Sequence, residues 1–288
     1  MHILITDSGV GGLSVCAYAE RFVRRHGFTE PVRLTFANAA PENHYGYNSM
    51  PTREEKVATF DRFLRNVTDR FAPDFIYVAC NTLSVLLPDT PYFASTEVPV
   101  KGIVETAVAL LLKDLEADAR SVAMIFATPT TIDAGAYPRL LEARGIAPSR
   151  IVTQACPGLA DTISEDREGT KTAMEIRGWV DAAVAKMQSR APVVACLACT
   201  HYGYRKDVFA AALDAAGIEA TVINPNESAV NDLFPSAAEG NHREVPVEFV
   251  TRYVIPPATI ETLTWFLSDI SPRTVAAMQQ FIYLPDLF

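Results

Sequence analysis

The stretch FIYVACNT, from Phe75 to Thr82, is an apolar run rich in aromatic and β-branched residues that ends in a cysteine. Such a run predicts a buried strand of a parallel sheet. Hydroxyl and amide residues follow Cys80 directly, with no turn residue between them. The sequence therefore places a thiol at the carboxyl end of a strand, which is the edge where α/β sheets bind ligands.

Apolar runs of this kind alternate with helix-period segments along the whole chain, which predicts parallel sheets covered by helices and hence an α/β fold. The predicted strands are His2 to Thr6, Val32 to Ala37, Asp74 to Ala79, Val98 to Val104, Ser121 to Ala127, Arg150 to Thr153, Val193 to Leu197, Glu219 to Asn224 and Val245 to Thr251. The predicted helices include Gly12 to His26, Arg53 to Phe71, Thr106 to Asp118, Asp133 to Arg144, Thr170 to Ser189 and Lys206 to Ala216.

The second half of the chain repeats the opening pattern in VVACLACTHY, from Val193 to Tyr202. We expect two similar α/β domains with mostly parallel sheets and an active site in the cleft between them, where Cys80 and Cys199 would meet. A chance repeat is the alternative, because buried strands often contain cysteine.

The composition of the chain limits the classes of function that it can have. The chain has 288 residues, of which 49% are hydrophobic, enough for one large or two medium cores. Its net charge is −9 and its 25 lysines and arginines are scattered, which argues against a nucleic-acid or anionic-membrane surface. A small acidic ligand is compatible with this charge, because backbone N–H groups can bind a carboxylate.

The first residues lack the pattern of a secretory signal, and the apolar segments are too short to span a bilayer. We therefore expect a cytoplasmic protein.

The five cysteines form an odd set, so we expect reduced thiols. Cys196 and Cys199 form a C-x-x-C, but no second such pair exists in the sequence, which disfavours a zinc site.

The opening segment TDSGVGG, from Thr6 to Gly12, lies where a first strand turns into a first helix. Its glycines and N–H groups can hold a carboxylate at the helix N-terminus. A simple helix cap by Asp7 or Ser8 is the alternative. The glycine spacing does not match a dinucleotide-binding fingerprint, because Ser14 stands where its third glycine belongs.

Each cysteine segment has two interpretations. Near solvent and beside helix N–H groups, Cys80 would have a lowered thiol pKa, and the imidazole of His201 could polarise Cys199. Alternatively, Cys80 is a packing residue, and Asn81 and Thr82 cap a helix. Two opposed thiols suit racemisation at an α-carbon, in which one removes a proton and the other returns one on the opposite face. Oriented donors would then stabilise the carbanionic transition state.

Six motifs in the same order resemble the glutamate racemase family, within the aspartate/glutamate racemase superfamily. They are DSGVGGLSV (Asp7 to Val15), Tyr45-Gly46 followed by Ser49, ACNT (Ala79 to Thr82), ATPTT with GAY (Ala127 to Thr131, Gly135 to Tyr137), ACP (Ala155 to Pro157) and CTHY (Cys199 to Tyr202).

The resemblance implies a cofactor-independent and metal-free racemase for glutamate that supplies D-glutamate for cell-wall precursors. It implies a first domain of residues 1–98 and 207–288 and a second of residues 99–206. Cys80, assisted by Asp7, would act on the D-enantiomer, and Cys199, assisted by His201, on the L-enantiomer. The implied substrate-binding residues are Ser8, Tyr45, Gly46, Asn81, Thr82, Thr128, Thr131 and Thr200. A homodimer is compatible with the resemblance.

The chain departs from the family pattern at His44, Asn48, Asp133, Ser164 and Gly203, and its residues from Thr264 to Phe288 form an extension that does not align. An acid in place of a base near a diacid site can alter selectivity by charge repulsion. Aspartate or another small acid therefore stays an alternative substrate. A related isomerase or decarboxylase of small diacids and a non-catalytic carboxylate-binding protein are the alternative functions.

Overall fold

The computed structural model describes residues 1–43, 45–235 and 240–288, which form two compact units. The first unit consists of Met1–Ile103 and Asn226–Phe288, and the second of Val104–Pro225. None of the helices in these ranges has the length and apolar character that crossing a membrane requires.

The strands of the described residues follow the predicted alternation with helices. They are β1 (His2–Asp7), β2 (Arg33–Asn38), β3 (Phe75–Val78), β4 (Val100–Gly102), β5 (Val122–Ala127), β6 (Ile151–Ala155), β7 (Val193–Ala198), β8 (Ala220–Ile223), β9 (Val247–Thr251) and β10 (Ile282–Tyr283).

The α-helices are α1 (Leu13–His26), α2 (Arg53–Phe71), α3 (Asn81–Ser84), α4 (Pro91–Ser95), α5 (Ile103–Ala117), α6 (Pro129–Asp133), α7 (Ala136–Glu142), α8 (Leu159–Glu165), α9 (Thr170–Val184), α10 (Lys206–Ala215), α11 (Pro225–Ser228), α12 (Val230–Leu233), α13 (Pro257–Leu267) and α14 (Pro272–Gln279). Short 3₁₀ helices cover Leu87–Asp89, Pro148–Arg150 and Tyr202–Arg205.

Each unit is built on one parallel sheet. The six-stranded sheet of the first unit has the order β10-β9-β2-β1-β3-β4, and the four-stranded sheet of the second has the order β6-β5-β7-β8. All neighbouring strands are parallel. Every residue of β5 and β7 is buried, as expected for strands covered on both faces. The predicted α/β fold class is confirmed.

A buried cluster of the first unit lies under α2 and reaches the end of β3. It includes Phe60 and Phe63 of α2, Ile76 and Val78 of β3, and Cys80. The helix itself begins where a capping box predicts, because the Thr52 side chain accepts a hydrogen bond from the Glu55 N–H. The thiol thus belongs to the edge of a packed core.

Two of the differences between the predicted and observed elements have a clear local cause. The helix predicted over residues 133–144 is interrupted, because Gly135 adopts the left-handed conformation (φ 62°) between α6 and α7. The strand predicted over residues 98–104 is shorter, because Ile103 already begins α5. An apolar run does not by itself distinguish a strand from the first turn of a buried helix.

The chain crosses between the units after Ile103 and again after Pro225. The resemblance implied crossings near Pro99 and Lys206, whereas residues 99–103 lie in the first unit and residues 207–225 in the second. The reason is that β8 pairs with β7. Strand pairing thus assigns this segment to the second sheet.

The C-terminal extension is an integral part of the first unit. Strand β10 pairs with β9 at the edge of the sheet, and Leu287 is 1% exposed. The Phe288 ring packs edge-on against Phe63 of α2, at 5.2 Å between centroids. The Arg252 guanidinium donates to the Phe288 carbonyl over 2.6 Å. The last residues therefore pack against the core of this unit.

We expect Leu287→Ala to lower the free energy of unfolding by about 2–5 kcal/mol, because it removes a fully buried side chain and leaves a cavity. The same substitution at Leu140, which is 39% exposed, should cost less than about 1 kcal/mol. Urea unfolding of both variants measures the difference. Equal stabilities would show that the C-terminal segment does not contribute to the core.

Candidate functional site

The first group of candidate residues lies at the carboxyl ends of β1 and β3. These strands pair in register, with Thr6 opposite Val78, and the Ala79 N–H donates to the Thr6 carbonyl over 2.9 Å. Asp7 and Cys80 therefore leave neighbouring strands at the same edge of the sheet. Parallel pairing brings together two residues that are far apart in the sequence.

Cys80 is buried in this arrangement. It is 5% exposed, it precedes α3, and its sulfur lies 3.0 Å from the Ser8 hydroxyl oxygen. Asn81 and Thr82, the first residues of α3, are 1% and 2% exposed. The structure thus brings together five of the predicted site residues: Asp7, Ser8, Cys80, Asn81 and Thr82.

The pKa of the Cys80 thiol is raised to about 12, chiefly by burial and also by the nearby negative charge of Asp7. Hydrogen bonds from the Ser8 hydroxyl and from the N–H groups of Ser8 and Leu83 act in the opposite direction but have smaller effects. Of our two interpretations, the thiol near solvent with a lowered pKa was wrong, because desolvation of the thiolate outweighs its hydrogen bonds. The burial of Cys80 agrees with the other interpretation, in which it is a packing residue.

The turn after β1 is fixed by close packing at Gly12. A side-chain carbon at this position would lie 2.8 Å from both the Cβ and the Oδ2 of Asp7, and 3.2 Å from the Ala79 Cβ. Only glycine fits at this distance without displacing its neighbours. The glycine therefore allows the first helix to approach the ends of β1 and β3 closely.

The loop before α2 carries Tyr45 and Gly46. A Cβ at Gly46 would lie 4.0 Å from the Ser8 carbonyl oxygen, so this glycine lies beside the turn that follows β1. The Tyr45 ring is 38% exposed, and its hydroxyl donates to Glu55 of α2 over 3.1 Å. Gly46 thus joins the site, whereas the Tyr45 hydroxyl is directed to a surface carboxylate.

The second group of candidate residues lies at the carboxyl ends of β5 and β7. Ala127 pairs with Ala198, so Thr128 and Cys199 follow at equivalent points of neighbouring strands. The hydroxyls of Thr128 and Thr131 lie 3.1 Å apart, and both residues are buried. Thr200 is also buried, at 2% exposed. This edge repeats the geometry of the first sheet.

His201 accompanies Cys199 in the second unit. The Cys199 sulfur lies 3.9 Å from the His201 Nδ1, and the two residues are 6% and 9% exposed. Burial lowers the pKa of His201 to about 4. The imidazole is therefore neutral near pH 7 and can accept a proton there.

The residues that depart from the family pattern lie in varied surroundings. Asp133, at the end of α6, and Asn48 are exposed. The Ser164 hydroxyl donates to the Ala160 carbonyl within α8 over 3.1 Å. A Cβ at Gly203 would lie 2.6 Å from the Asn224 side chain, so the chain passes too close there for a larger residue. His44 lies outside the described residues.

The remaining cysteines, Cys16, Cys156 and Cys196, are buried. Cys196 is fully buried within β7, and burial raises its thiol pKa. The five cysteines are free thiols. In the described ranges, no group of three or more histidine, cysteine, aspartate or glutamate side chains is arranged to hold a metal ion.

Sequence reasoning missed two tyrosines that lie near the cysteines. Tyr202 is fully buried, and its hydroxyl donates to the Cys156 carbonyl over 3.1 Å. Tyr47 is 1% exposed and belongs to the same buried cluster as Cys80. Tyr202 was part of a quoted motif, but nothing in the sequence separates the buried Tyr47 from the exposed Tyr45.

Comparison with known proteins identifies the family. The sequence profile of the Asp/Glu/Hydantoin racemase family matches residues 12–233. The glutamate racemase of Jannaschia sp. (strain CCS1) is 30% identical over 225 residues, which cover 74% of this chain and 77% of that protein. The chain therefore belongs to the Asp/Glu/Hydantoin racemase family, and the curated relatives that it matches are glutamate racemases.

Solved structures agree in fold. The glutamate racemase of Campylobacter jejuni superposes with a TM-score of 0.72 at 20% identity, covering 92% of this chain and 98% of that one. The glutamate racemase of Francisella tularensis in complex with D-glutamate superposes with a TM-score of 0.70 at 20% identity, covering 92% and 93% of the two chains. At this identity the likeness is one of fold.

We expect Gly12→Ala to lower the free energy of unfolding by about 1–3 kcal/mol, because the added methyl must displace the Asp7 side chain. Gly178 of α9 is the matched control, since a Cβ there meets nothing within 4 Å. Gly178→Ala should raise stability by up to about 1 kcal/mol. Urea unfolding measures both, and an unchanged stability of the Gly12 variant would contradict the close packing.

We also expect His201 to make stability depend on pH. Its pKa is about 4 in the folded protein and near 6.5 in the unfolded chain, so the unfolded chain binds one more proton between these values. Above pH 6.5 the contribution of His201 to the free energy of unfolding is full. Between pH 6.5 and pH 4 this contribution decreases by up to about 1.4 kcal/mol for each unit by which the pH falls.

The measurement is the free energy of unfolding from pH 7 to pH 4 for the wild type and for His201→Asn. The variant should show a shallower slope, whereas His26→Gln, which changes an exposed histidine, should keep that of the wild type. Identical slopes in the wild type and the His201 variant would mean that this imidazole is not buried in the neutral form.

Proposed function

We propose that this racemase interconverts L- and D-glutamate without a cofactor, using Cys80 and Cys199 as its two bases. The observation that carries the proposal is the repeated position of the two thiols. Each follows a strand of its own parallel sheet, beside the loop that ends the neighbouring strand. The two strand pairings place a thiol at equivalent positions of the two sheets. In a chain that belongs to a racemase family, each of these thiols can carry a proton.

The reaction needs one thiolate and one thiol. The thiolate removes the α-proton and becomes a thiol, which leaves a carbanion at the α-carbon. The opposite thiol then donates its proton to the other face of that carbon and becomes a thiolate. Atoms and charge balance over the cycle, and the reverse reaction uses the same groups in exchanged roles. By family resemblance, Cys80 acts on the D-enantiomer and Cys199 on the L-enantiomer.

The surroundings of Cys80 favour a strong base. A thiol with a raised pKa holds its proton firmly, so its thiolate is a strong acceptor for a weakly acidic α-proton. Such a thiolate forms only if another group takes the thiol proton. Asp7 is charged and close enough to act on Cys80 electrostatically, which supports its role as the assisting group.

Cys199 has a different assisting group. The neutral His201 imidazole lies within hydrogen-bond range of sulfur and can take the thiol proton. A cationic imidazole could not accept this proton. The low pKa of His201 keeps the imidazole neutral but makes it a weak base, so the support for its assisting role is its position beside the Cys199 sulfur.

The substrate carboxylates require hydrogen-bond donors. Hydroxyl, amide and backbone N–H groups at the strand ends supply them and stabilise the charge that develops in the transition state. We assign this binding to Ser8, Tyr45, Gly46, Asn81, Thr82, Thr128, Thr131 and Thr200. Tyr45 would contribute through its backbone, because its hydroxyl is engaged by Glu55.

Relatives support glutamate as the substrate. The Francisella tularensis structure is a complex with D-glutamate, and the Escherichia coli glutamate racemase structure is a complex with L-glutamate and an activator, UDP-MurNAc-ala. We further propose that the product D-glutamate serves peptidoglycan precursors. A cytoplasmic location and a homodimer belong to the same proposal.

The decisive experiment incubates each enantiomer of glutamate and aspartate in D2O and follows α-deuteration and chirality. We expect α-deuterated glutamate of both hands. Deuteration of aspartate alone would change the substrate, and a product of different mass would indicate an isomerase or decarboxylase. Binding without exchange would contradict an enzymatic function.

Cys80→Ser and Cys199→Ser should each reduce racemisation by at least about 100-fold, because each removes one of the two proton carriers. Cys16→Ala is the matched control, since Cys16 is a buried thiol in α1 outside both strand edges. Its turnover should stay close to that of the wild type. Near wild-type turnover in either serine variant would disprove the two-base mechanism.

A further inference from the structure

Tyr47 carries a buried polar group that the family motifs do not explain. The residue is 1% exposed, and its hydroxyl has no hydrogen-bond partner among the described residues. The ring packs edge-on against Phe60, with 6.2 Å between the centroids. A buried, unpartnered hydroxyl reduces stability, and phenylalanine would fill the same space without that cost. The hydroxyl therefore requires an explanation.

Tyr47 lies in the same buried cluster as Cys80, and two charged groups act on its hydroxyl. Burial is the main cause that raises the pKa of Tyr47 well above its usual value. Negative charge on Cys80 raises this pKa further, and the guanidinium of Arg62, on α2, lowers it. A guanidinium has only donors, so of these two neighbours the Cys80 sulfur is the one that can accept a hydrogen bond.

The Cys80 thiolate needs such a donor. Asp7, on β1, opposes its charge, while the Ser8 hydroxyl and the N–H groups of Ser8 and Leu83 support it. These donors do not offset the burial of the thiol. A thiolate is a stronger acceptor than a thiol, so a neighbouring O–H gains most after the proton has left the sulfur.

We propose that Tyr47 is a positioning residue for Cys80, and that its hydroxyl turns toward the sulfur and donates a hydrogen bond when the thiolate forms. Tyr47 keeps its own proton throughout, and the α-proton moves only to the sulfur. The resting thiol has Ser8 as its neighbour and leaves the Tyr47 hydroxyl without a partner. The inference rests on the proposed role of Cys80 as a base.

Tyr47→Phe tests the inference, because it keeps the ring and removes only the oxygen. A hydrogen bond to a charged group shifts a pKa by about one to two units, so the Cys80 pKa should rise by that amount. At a fixed pH, proton exchange that starts from D-glutamate should be about 10- to 100-fold slower. The pH range over which this exchange rate increases, the ascending pH limb, should move to higher pH. The free energy of unfolding should be unchanged or increased.

Tyr92→Phe is the matched control. Tyr92 is a buried tyrosine of the same cluster, but its hydroxyl is 2.6 Å from that of Thr68. Loss of the Tyr92 hydroxyl should lower the free energy of unfolding and leave the pH dependence of the exchange rate unchanged. If Tyr47→Phe raises stability and leaves the pH limb unchanged, Tyr47 has only a packing role and the inference is overturned.

A second measurement separates this inference from the proposed function. The rate of Cys80 alkylation by iodoacetamide, followed by mass spectrometry across pH, reports the thiolate fraction without any turnover. We expect alkylation to be about 10- to 100-fold slower in Tyr47→Phe at the same pH. If the wild type exchanges no acidic amino acid, the proposed function fails, while the alkylation rates still decide the role of Tyr47. Equal rates in the two proteins would refute it.

Discussion

The parallel pairing of β1 with β3 is the constraint on which the first candidate site depends. Because paired parallel strands advance in the same direction, Asp7, Ser8 and Cys80 reach one edge of the sheet although α1, β2 and α2 separate them in sequence. Gly12 lets the first helix approach this edge closely. The pairing of β5 with β7 repeats the arrangement for Thr128 and Cys199. Each sheet thus presents a buried thiol at an equivalent position.

Burial gives these positions their chemistry. In a low-dielectric environment, a thiol and an imidazole both favour their neutral forms, which raises the pKa of Cys80 and lowers that of His201. The proposed assisting groups differ in charge, since one thiol has the carboxylate of Asp7 nearby and the other a neutral imidazole. Different surroundings for two otherwise similar groups are a general way to assign acid and base roles.

Local patterns predicted much of the secondary structure, because hydrophobic period and capping chemistry act over a few residues. Helix α2 has the predicted bounds, and no end of β1, β2 or β5 differs from the prediction by more than one residue. The errors in the predicted elements and domain bounds occurred where contacts between distant parts of the chain determine the structure. Gly135 interrupts a predicted helix, pairing with β7 assigns β8 to the second unit, and β10 is too short to be recognised without its neighbour β9.

The sequence by itself determined the α/β class, the two cysteine segments and the family resemblance, because these depend on composition, periodicity and motif order. Only the tertiary structure decided how exposed each side chain is. It decided between the two interpretations of Cys80 by burying the thiol, and it separated the buried Tyr47 from the exposed Tyr45. The physical reason is that a pKa and a hydrogen-bond partner depend on the atoms that surround a group, and those atoms come from remote parts of the chain.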